Sequence, residues 1–313
     1  MKLQQLRYIV EIRRQGLNVS EAAESLYTSQ PGISKQVRLL EDELGVAIFE
    51  RSGKRFTGLT EPGRAVVEIA ERILAEAENL KRACADFSAG DSGRLVLAAT
   101  HTQARYALPP VVRDFVARHP GIKLEMHQGS PTQIAEWLLA GDVDIGIATE
   151  ALDRYPQLIT LPVRQWSHCV IAPAGHPVLQ AQPLSLHELV KWPLITYDTA
   201  FAGRSRINQA FERIGAAPNV VFTALDADVI KTYVNLGLGL GIISALAFDA
   251  QRDSGLAALD AGHLFASNTT RLALRRGIYL RRHDYDLIEL FAPHLTRRVV
   301  ELTMQGGGEA YQL

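Results

Sequence analysis

Gln30, Ser34, Lys35 and Arg38 fall on one side of a helical period, and Ile33, Val37, Leu40 and Leu44 form an apolar stripe on the other. An amide, a hydroxyl, an ammonium and a guanidinium in that array can bond base edges and phosphates in a major groove. Pro31 belongs in the first turn of this helix, where a missing N–H costs little, and Thr28 or Ser29 is the expected cap. Upstream, Asn18 and Glu21 have capping-box spacing and open a shorter helix that ends near Leu26. Tyr27 and Thr28 break it. Helix, tight turn and helix over residues 18–38 are the parts needed to offer a second helix to duplex DNA. A small helical bundle with an ordinary polar surface would share that pattern.

The residues after this helix favour DNA binding. Gly45 suits a helix C-terminus. Ser52-Gly53 is a turn signal between two short extended runs, which predicts a hairpin. Arg51, Lys54 and Arg55 crowd its tip. A basic hairpin beside such a helix is a wing that reaches phosphates or the minor groove.

The elements that must carry these residues come from the whole chain. Its 313 residues allow two or three domains. Net charge is −1, so nucleic-acid binding has to come from a locally basic face. No apolar run is long enough to span a membrane. The segment MKLQQLRYIVEIRR lacks the apolar core of a signal peptide, and a cytoplasmic protein is expected. Cys84 and Cys169 stand alone without metal-ligand spacing, and both are expected to be buried, inert thiols.

Thr60 caps a long helix running to about Phe87 without interior Pro or Gly, a rod of roughly 40 Å. Val66, Ile69, Ile73, Leu80, Cys84 and Phe87 recur near a 3.5-residue period, interrupted at Glu76, which predicts a dimerisation helix. Residues 88–93, SAGDSG, mark the boundary to an alternating region. Strands are expected at 94–100, 123–128, 144–148, 166–172, 194–197, 220–224, 240–244 and 274–280. Helices are expected at 106–119, 131–140, 205–214, 227–236 and 284–304. This βαβα progression implies an α/β fold with a parallel sheet covered on both faces.

The run SQPGISKQVRLLEDELGVAIFER resembles the LysR-type transcriptional regulators, and the resemblance spans nearly the whole chain. THTQARY at 100–106, GDVDIGIATE at 141–150 and ADVIKTYV at 227–234 are closer still to the CysB/Cbl subfamily, and FAPHLTR at 291–297 is closer to CysB. The resemblance implies a winged helix-turn-helix domain at 1–60, a linker helix at 61–88 and an effector-binding domain at 93–313. That domain comprises two Rossmann-like α/β subdomains of periplasmic-binding-protein type II, about 93–163 with 269–313 and about 164–268. It also implies a homotetramer, a dimer of dimers, that binds promoter DNA and acts with RNA polymerase on sulfur-assimilation and cysteine-biosynthesis genes. The implied effectors are O-acetylserine, N-acetylserine or sulfate; for a Cbl-like regulator of sulfonate genes the implied effector is adenylyl sulfate.

Thr100, Thr102, Gln103, Ser130, Thr149 and Trp166 are the candidates for effector contact in the first part of the chain. Thr100 ends a strand, Thr102 and Gln103 open the next helix, and Thr149 follows another strand. Neutral donors and helix N-termini suit an ionised sulfate or carboxylate. Capping is the commoner use of such Ser and Thr, and Trp166 could equally be core. In the subfamily the second subdomain carries Phe-Thr-Gly-Arg-Ser, but this chain has FAGRS at 201–205. Ala202 has no hydroxyl, so contact there falls to the N–H groups of Ala202 and Gly203. His101 sits between two candidates, on a strand end where side chains alternate. Asp226 and Asp228 read as carboxylates at a helix N-terminus. No GxSxG, HExxH or P-loop is present, and Gly237–Gly241 follows a helix and enters a strand, the reverse of a phosphate loop. Neither catalysis nor a metal or organic cofactor is expected.

Overall fold

The computed structural model describes residues 1–53, 55–88, 92–181, 183–199 and 202–306. Lys54, Phe201 and boundary residues 89–91 lie outside them. Residues 1–87 and 88–313 form two units. Among the described residues no helix is long and apolar enough to cross a membrane.

The first unit runs α1 (Leu3–Arg14), α2 (Val19–Ser25), α3 (Gln30–Leu44), β1 (Phe49–Ser52), β2 (Arg55–Leu59) and α4 (Glu61–Ser88). Asn18 Oδ1 caps α2 by accepting the N–H groups of Ser20 and Glu21 at 3.0 and 3.3 Å. Ile33, Val37 and Leu40 are fully buried against Ile9 and Ile12 of α1 and Ala22 of α2. Leu44 departs from the expected stripe and is 39% exposed. Gly45, left-handed at φ 70°, turns the chain there, and Ile48 and Phe49 fill the core instead. Gly63 allows α4 to start where it does: a Cβ would lie 1.9 Å from the Ile48 carbonyl oxygen. Thr60 Oγ1 accepts the Gly63 N–H at 2.9 Å and closes that turn.

The 28 residues of α4 extend about 42 Å at 1.5 Å per residue. Val67 and Ala70 pack into the small core, whereas Leu80 and Phe87 are 67% and 79% exposed. Cys84 is exposed as well, against expectation, because the helix runs on past the core of its own unit. Cys169 is buried, and burial pushes its thiol up to about 12.

The second unit continues in chain order with β3 (Gly93–Ala99), α5 (Leu108–Arg118), β4 (Ile122–Gln128), α6 (Pro131–Ala140), β5 (Ile145–Thr149), β6 (Leu158–Trp166) and β7 (His168–Pro173). It then runs through α7 (Leu186–Leu189), β8 (Leu194–Tyr197), α8 (Ala202–Arg213), β9 (Val220–Ala224), α9 (Ala227–Asn235) and β10 (Leu240–Ser244). Last come β11 (Leu256–Asp260), β12 (Asn268–Arg275), α10 (Arg282–Phe291) and α11 (Arg297–Met304). One sheet has the order β4-β3-β5-β12-β6, the other β11-β7-β10-β8-β9. Both faces of each are covered, as the nearly continuous apolar strands require. Leu95, Leu97 and Ala99 of β3 pack in one layer with α5 and α10, and Val96 and Ala98 pack in the other with α6.

The sheets are mixed, not purely parallel. Strands β3, β4 and β5 are parallel, but the returning β12 is antiparallel to β5 and β6, and β7 is antiparallel to β10 and β11. The single strand expected at 166–172 is two strands in different sheets, separated by Ser167. Pairing of β6 with β12 through Trp166 moves the first crossing between sheets a few residues beyond 163. The strand expected at 274–280 is β12, six residues earlier at its start; Gly277 at φ 78° turns the chain within the apolar run. The long C-terminal helix is two helices, because Pro293 lacks an N–H and holds Ala292 out of the helical region.

Candidate nucleic-acid interface and effector cleft

Ser29 Oγ caps α3 by accepting the Gly32 N–H at 3.3 Å, with Pro31 in the first turn. Gln30, Pro31, Lys35 and Arg38 are exposed and Ser34 is half-buried. The Gln30 amide donates to Ser34 Oγ at 3.4 Å. Tyr27, in the turn between α2 and α3, is left-handed at φ 50° and 98% exposed. The wing is fastened by Glu41, which no sequence signal marks. One carboxylate oxygen accepts the N–H groups of Ile48 and Phe49 at 2.8 and 3.2 Å, and the other pairs with Arg51. Arg51 also lies 4.9 Å over the Phe56 ring, which stacks on Phe49 at 4.4 Å. Arg51, expected at phosphates, thus holds the wing to α3. Arg55 is exposed, and Lys54 lies outside the described residues.

In the second unit one cleft is lined by Thr100, His101, Thr102, Gln103, Thr149, Trp166, Tyr197, Gly203, Leu225 and Ser244. Six expected contacts therefore meet: Thr100, Thr102, Gln103, Thr149, Trp166 and Gly203. Ala202 opens α8. Ser130 is a capping residue, its Oγ accepting the Gln133 N–H at 3.3 Å and its N–H reaching Gln133 Oε1 at 2.9 Å. Tyr197, Leu225 and Ser244 carry no sequence signal for this role. Far apart along the chain, they are brought to this place only by the ends of β8, β9 and β10.

Tyr197 Oη accepts the Ser244 N–H at 3.1 Å. Burial pushes the phenol well above its ordinary value. The Gln103 amide N–H donates to Thr270 Oγ1 at 3.1 Å, so its donor faces β12. Thr149 Oγ1, Trp166 Nε1 and Ser244 Oγ are buried without a hydrogen-bond partner. Among the described residues no Lys or Arg lines the cleft. The cavity volume is about 30 Å³, the scale of one or two waters. Beneath lies His168, fully buried, its ring edge-on to Trp166 at 5.2 Å and Phe265 at 5.4 Å. Burial pulls it down to about 4, so it is neutral at pH 7. A Cβ on Gly203 would meet His168 Nε2 at 3.1 Å, which is why the start of α8 needs a glycine to approach so closely.

Beside the cleft the two subdomains are latched. Arg105 Nε forms an ion pair with Asp228 Oδ2 at 2.7 Å, and the Tyr106 hydroxyl donates to Oδ1 at 2.6 Å. Lys231 donates to Tyr106 Oη at 2.8 Å, to the Ala247 carbonyl at 3.0 Å and to Asp253 Oδ1 at 3.0 Å. Burial opposes the Lys231 ammonium, but its bonds to Tyr106 and Asp253 outweigh it and hold the group above its ordinary value. Burial likewise opposes the Asp228 carboxylate, and bonds from Tyr106 and Lys231 overcome it, leaving the group below its ordinary value. Asp226 caps α9 through the Val229 N–H at 2.8 Å, as its position suggests. Asp228 does more than face the helix dipole, because it anchors three side chains of this network. His101, Asp226 and Asp228 come within 4.8 Å of one another, but Arg105 and Lys231 already supply positive charge there.

Known proteins match both units. Residues 3–64 match the family described as bacterial regulatory helix-turn-helix protein, lysR family, and residues 88–296 match the LysR substrate binding domain. The HTH-type transcriptional regulator SsuR of Burkholderia cenocepacia is 57% identical over 295 residues, 94% of this chain and 96% of that protein. The regulator CysB of the same organism is 52% identical over the whole of both chains. The crystal structure of the cofactor-binding domain of the Cbl transcriptional regulator superposes with a TM-score of 0.66 at 44% identity, covering 68% of this chain and 93% of that one. Such relatives are regulators, not enzymes. With both family matches spanning the fold and identity above one half over entire relatives, the chain belongs to the LysR family of bacterial transcriptional regulators, in the group containing CysB, SsuR and Cbl.

Proposed function

We propose that this regulator controls sulfur-acquisition genes, including those of cysteine biosynthesis, and that a small anionic effector in the cleft sets how it holds promoter DNA. The cleft lining carries the reading: neutral donors without partners and, among the described residues, no fixed cation. Preorganised neutral donors suit a fully ionised oxyanion or carboxylate. At about 30 Å³ the cleft must open to admit sulfate, an acetylserine or adenylyl sulfate, so titration with each decides among them. Gln30, Pro31, Ser34, Lys35 and Arg38 face the major groove, with Arg55 and Lys54 at phosphates. The exposed apolar residues of α4 pair two chains, and two pairs make a homotetramer that acts with RNA polymerase in the cytoplasm.

An effector shifts operator binding only if it prefers one assembly to another. The test is anisotropy of labelled sulfur-gene promoter DNA, titrated with sulfate, O-acetylserine, N-acetylserine and adenylyl sulfate in turn. Sulfate or an acetylserine is expected to change the operator affinity. Response to adenylyl sulfate alone would make the protein a Cbl-like regulator of sulfonate genes, and indifference to all four would dispose of the reading.

Ala202 gives a second check. A hydrogen bond to a charged group is worth about 1.5–3 kcal/mol. Ala202→Thr should therefore tighten inorganic sulfate roughly ten- to a hundredfold in calorimetry. Unchanged affinity would mean that position 202 does not face the anion.

A further inference from the structure

Resting on the reading of the cleft as an anion site, we propose that Ser244 is the second subdomain's side-chain donor to the effector and a determinant of its affinity. Ser244 ends β10 and is 2% exposed, yet it lines the cleft. Its Oγ has no hydrogen-bond partner. A buried hydroxyl without a partner is costly, and native proteins leave few of them. The neighbouring bonds do not consume it, since its N–H is the group that reaches Tyr197 Oη. Its ladder partner is His168, whose neutral ring brings no charge to compete for the site.

Four further atoms in the same cleft share the condition: Gln103 Oε1 only accepts, His101 Nδ1 depends on the tautomer, and the other two are donors. Thr149 Oγ1 belongs to the first subdomain, Trp166 Nε1 stands where the chain crosses between sheets, and neither has a partner. Three unpartnered donors from the first subdomain, the crossing and the second subdomain can surround one tetrahedral anion. Without Ser244 the second subdomain would offer mainly backbone N–H groups at the start of α8, because residue 202 is alanine. Ser244 therefore links the anion to the second subdomain, and it makes affinity sensitive to closure of the cleft.

The test uses the full chain, with inorganic sulfate and N-acetylserine as probes in calorimetry and thermal unfolding. Ser244→Ala should weaken the probe that binds the parent by about tenfold or more. Its unliganded midpoint should stay level or rise, because no protein bond is lost, while the probe-induced rise shrinks. Thr149→Val is the companion variant. Loss of affinity in Thr149→Val with none in Ser244→Ala would overturn the role of Ser244 and leave the cleft reading intact. No loss in either variant, or no binding of either probe to the parent, would overturn both. Should Ser244→Ala fold poorly, Ser244→Cys keeps the volume with a weak donor and is read in the same way; a lowered unliganded midpoint in both variants would show a structural hydroxyl and sink the proposal.

Discussion

Lys231→Met is expected to destabilise the effector-binding unit by about 3–5 kcal/mol, the usual cost of stripping one partner from a buried ion pair. Lys231 is 8% exposed and meets Asp253, Asp228, Tyr106 and a backbone carbonyl at once. Methionine fills the volume but leaves the Asp253 carboxylate buried without its cation. For a unit of this size the unfolding midpoint should fall on the order of 10 °C. Lys231→Met/Asp253→Asn should recover part of the loss, since removing both charges costs less than removing one. A midpoint equal to the parent's in the single variant would show that the lysine carries no such load. The pH dependence has two limbs. Asp228 is held below its ordinary value, so its contribution is present above the carboxylate range and is lost as pH falls. Lys231 is held above its ordinary value, so its contribution is present below the lysine range and is lost as pH climbs. The latch is therefore strongest through neutral pH.

Arg38→Ala should weaken binding to the cognate operator by about 1–3 kcal/mol while barely changing affinity for random duplex, as loss of a base contact does. Arg38 is exposed on α3 and has no ion-pair partner among the described residues, so its guanidinium is free for DNA. Arg55→Ala should differ in kind, with weaker binding on every sequence and a salt slope shallower by about one. Arg51→Ala should change the slope less and loosen the wing, because Glu41 and the Phe56 ring already hold that side chain. Equal losses on cognate and random DNA for Arg38→Ala would remove it from base reading.

The recognition helix is legible in sequence because its signals are local: a serine cap, a proline in the first turn, an apolar period and a terminal glycine. The βαβ succession is legible for the same reason. Local signals fail where distant segments decide the outcome. Glu41 looks like one more charge on a helix, and only the folded hairpin supplies the N–H groups it accepts. Gln103 has the chemistry of an anion donor, but Thr270 takes its N–H from 167 residues away. Ser130 takes the alternative that composition favours, a helix cap. Tyr197 and Ser244 carry no motif. Their place in the cleft arises from strands that end side by side, and the Tyr106–Lys231 contact spans 125 residues. The late strand and the divided C-terminal helix depart from expectation through Gly277 and Pro293, whose turns override the apolar pattern around them.

The position of β12 has a consequence for biosynthesis. It lies between β5 and β6 and, among the described residues, is the only bridge joining them within their sheet. Until the ribosome has released residues 268–275, β6 has no neighbour to pair with in that layer. All five strands of the other sheet are complete by residue 260. The part of the effector unit that begins later on the messenger is thus the first able to finish, and the earlier part waits for the tail of the chain to return and knit its two halves together.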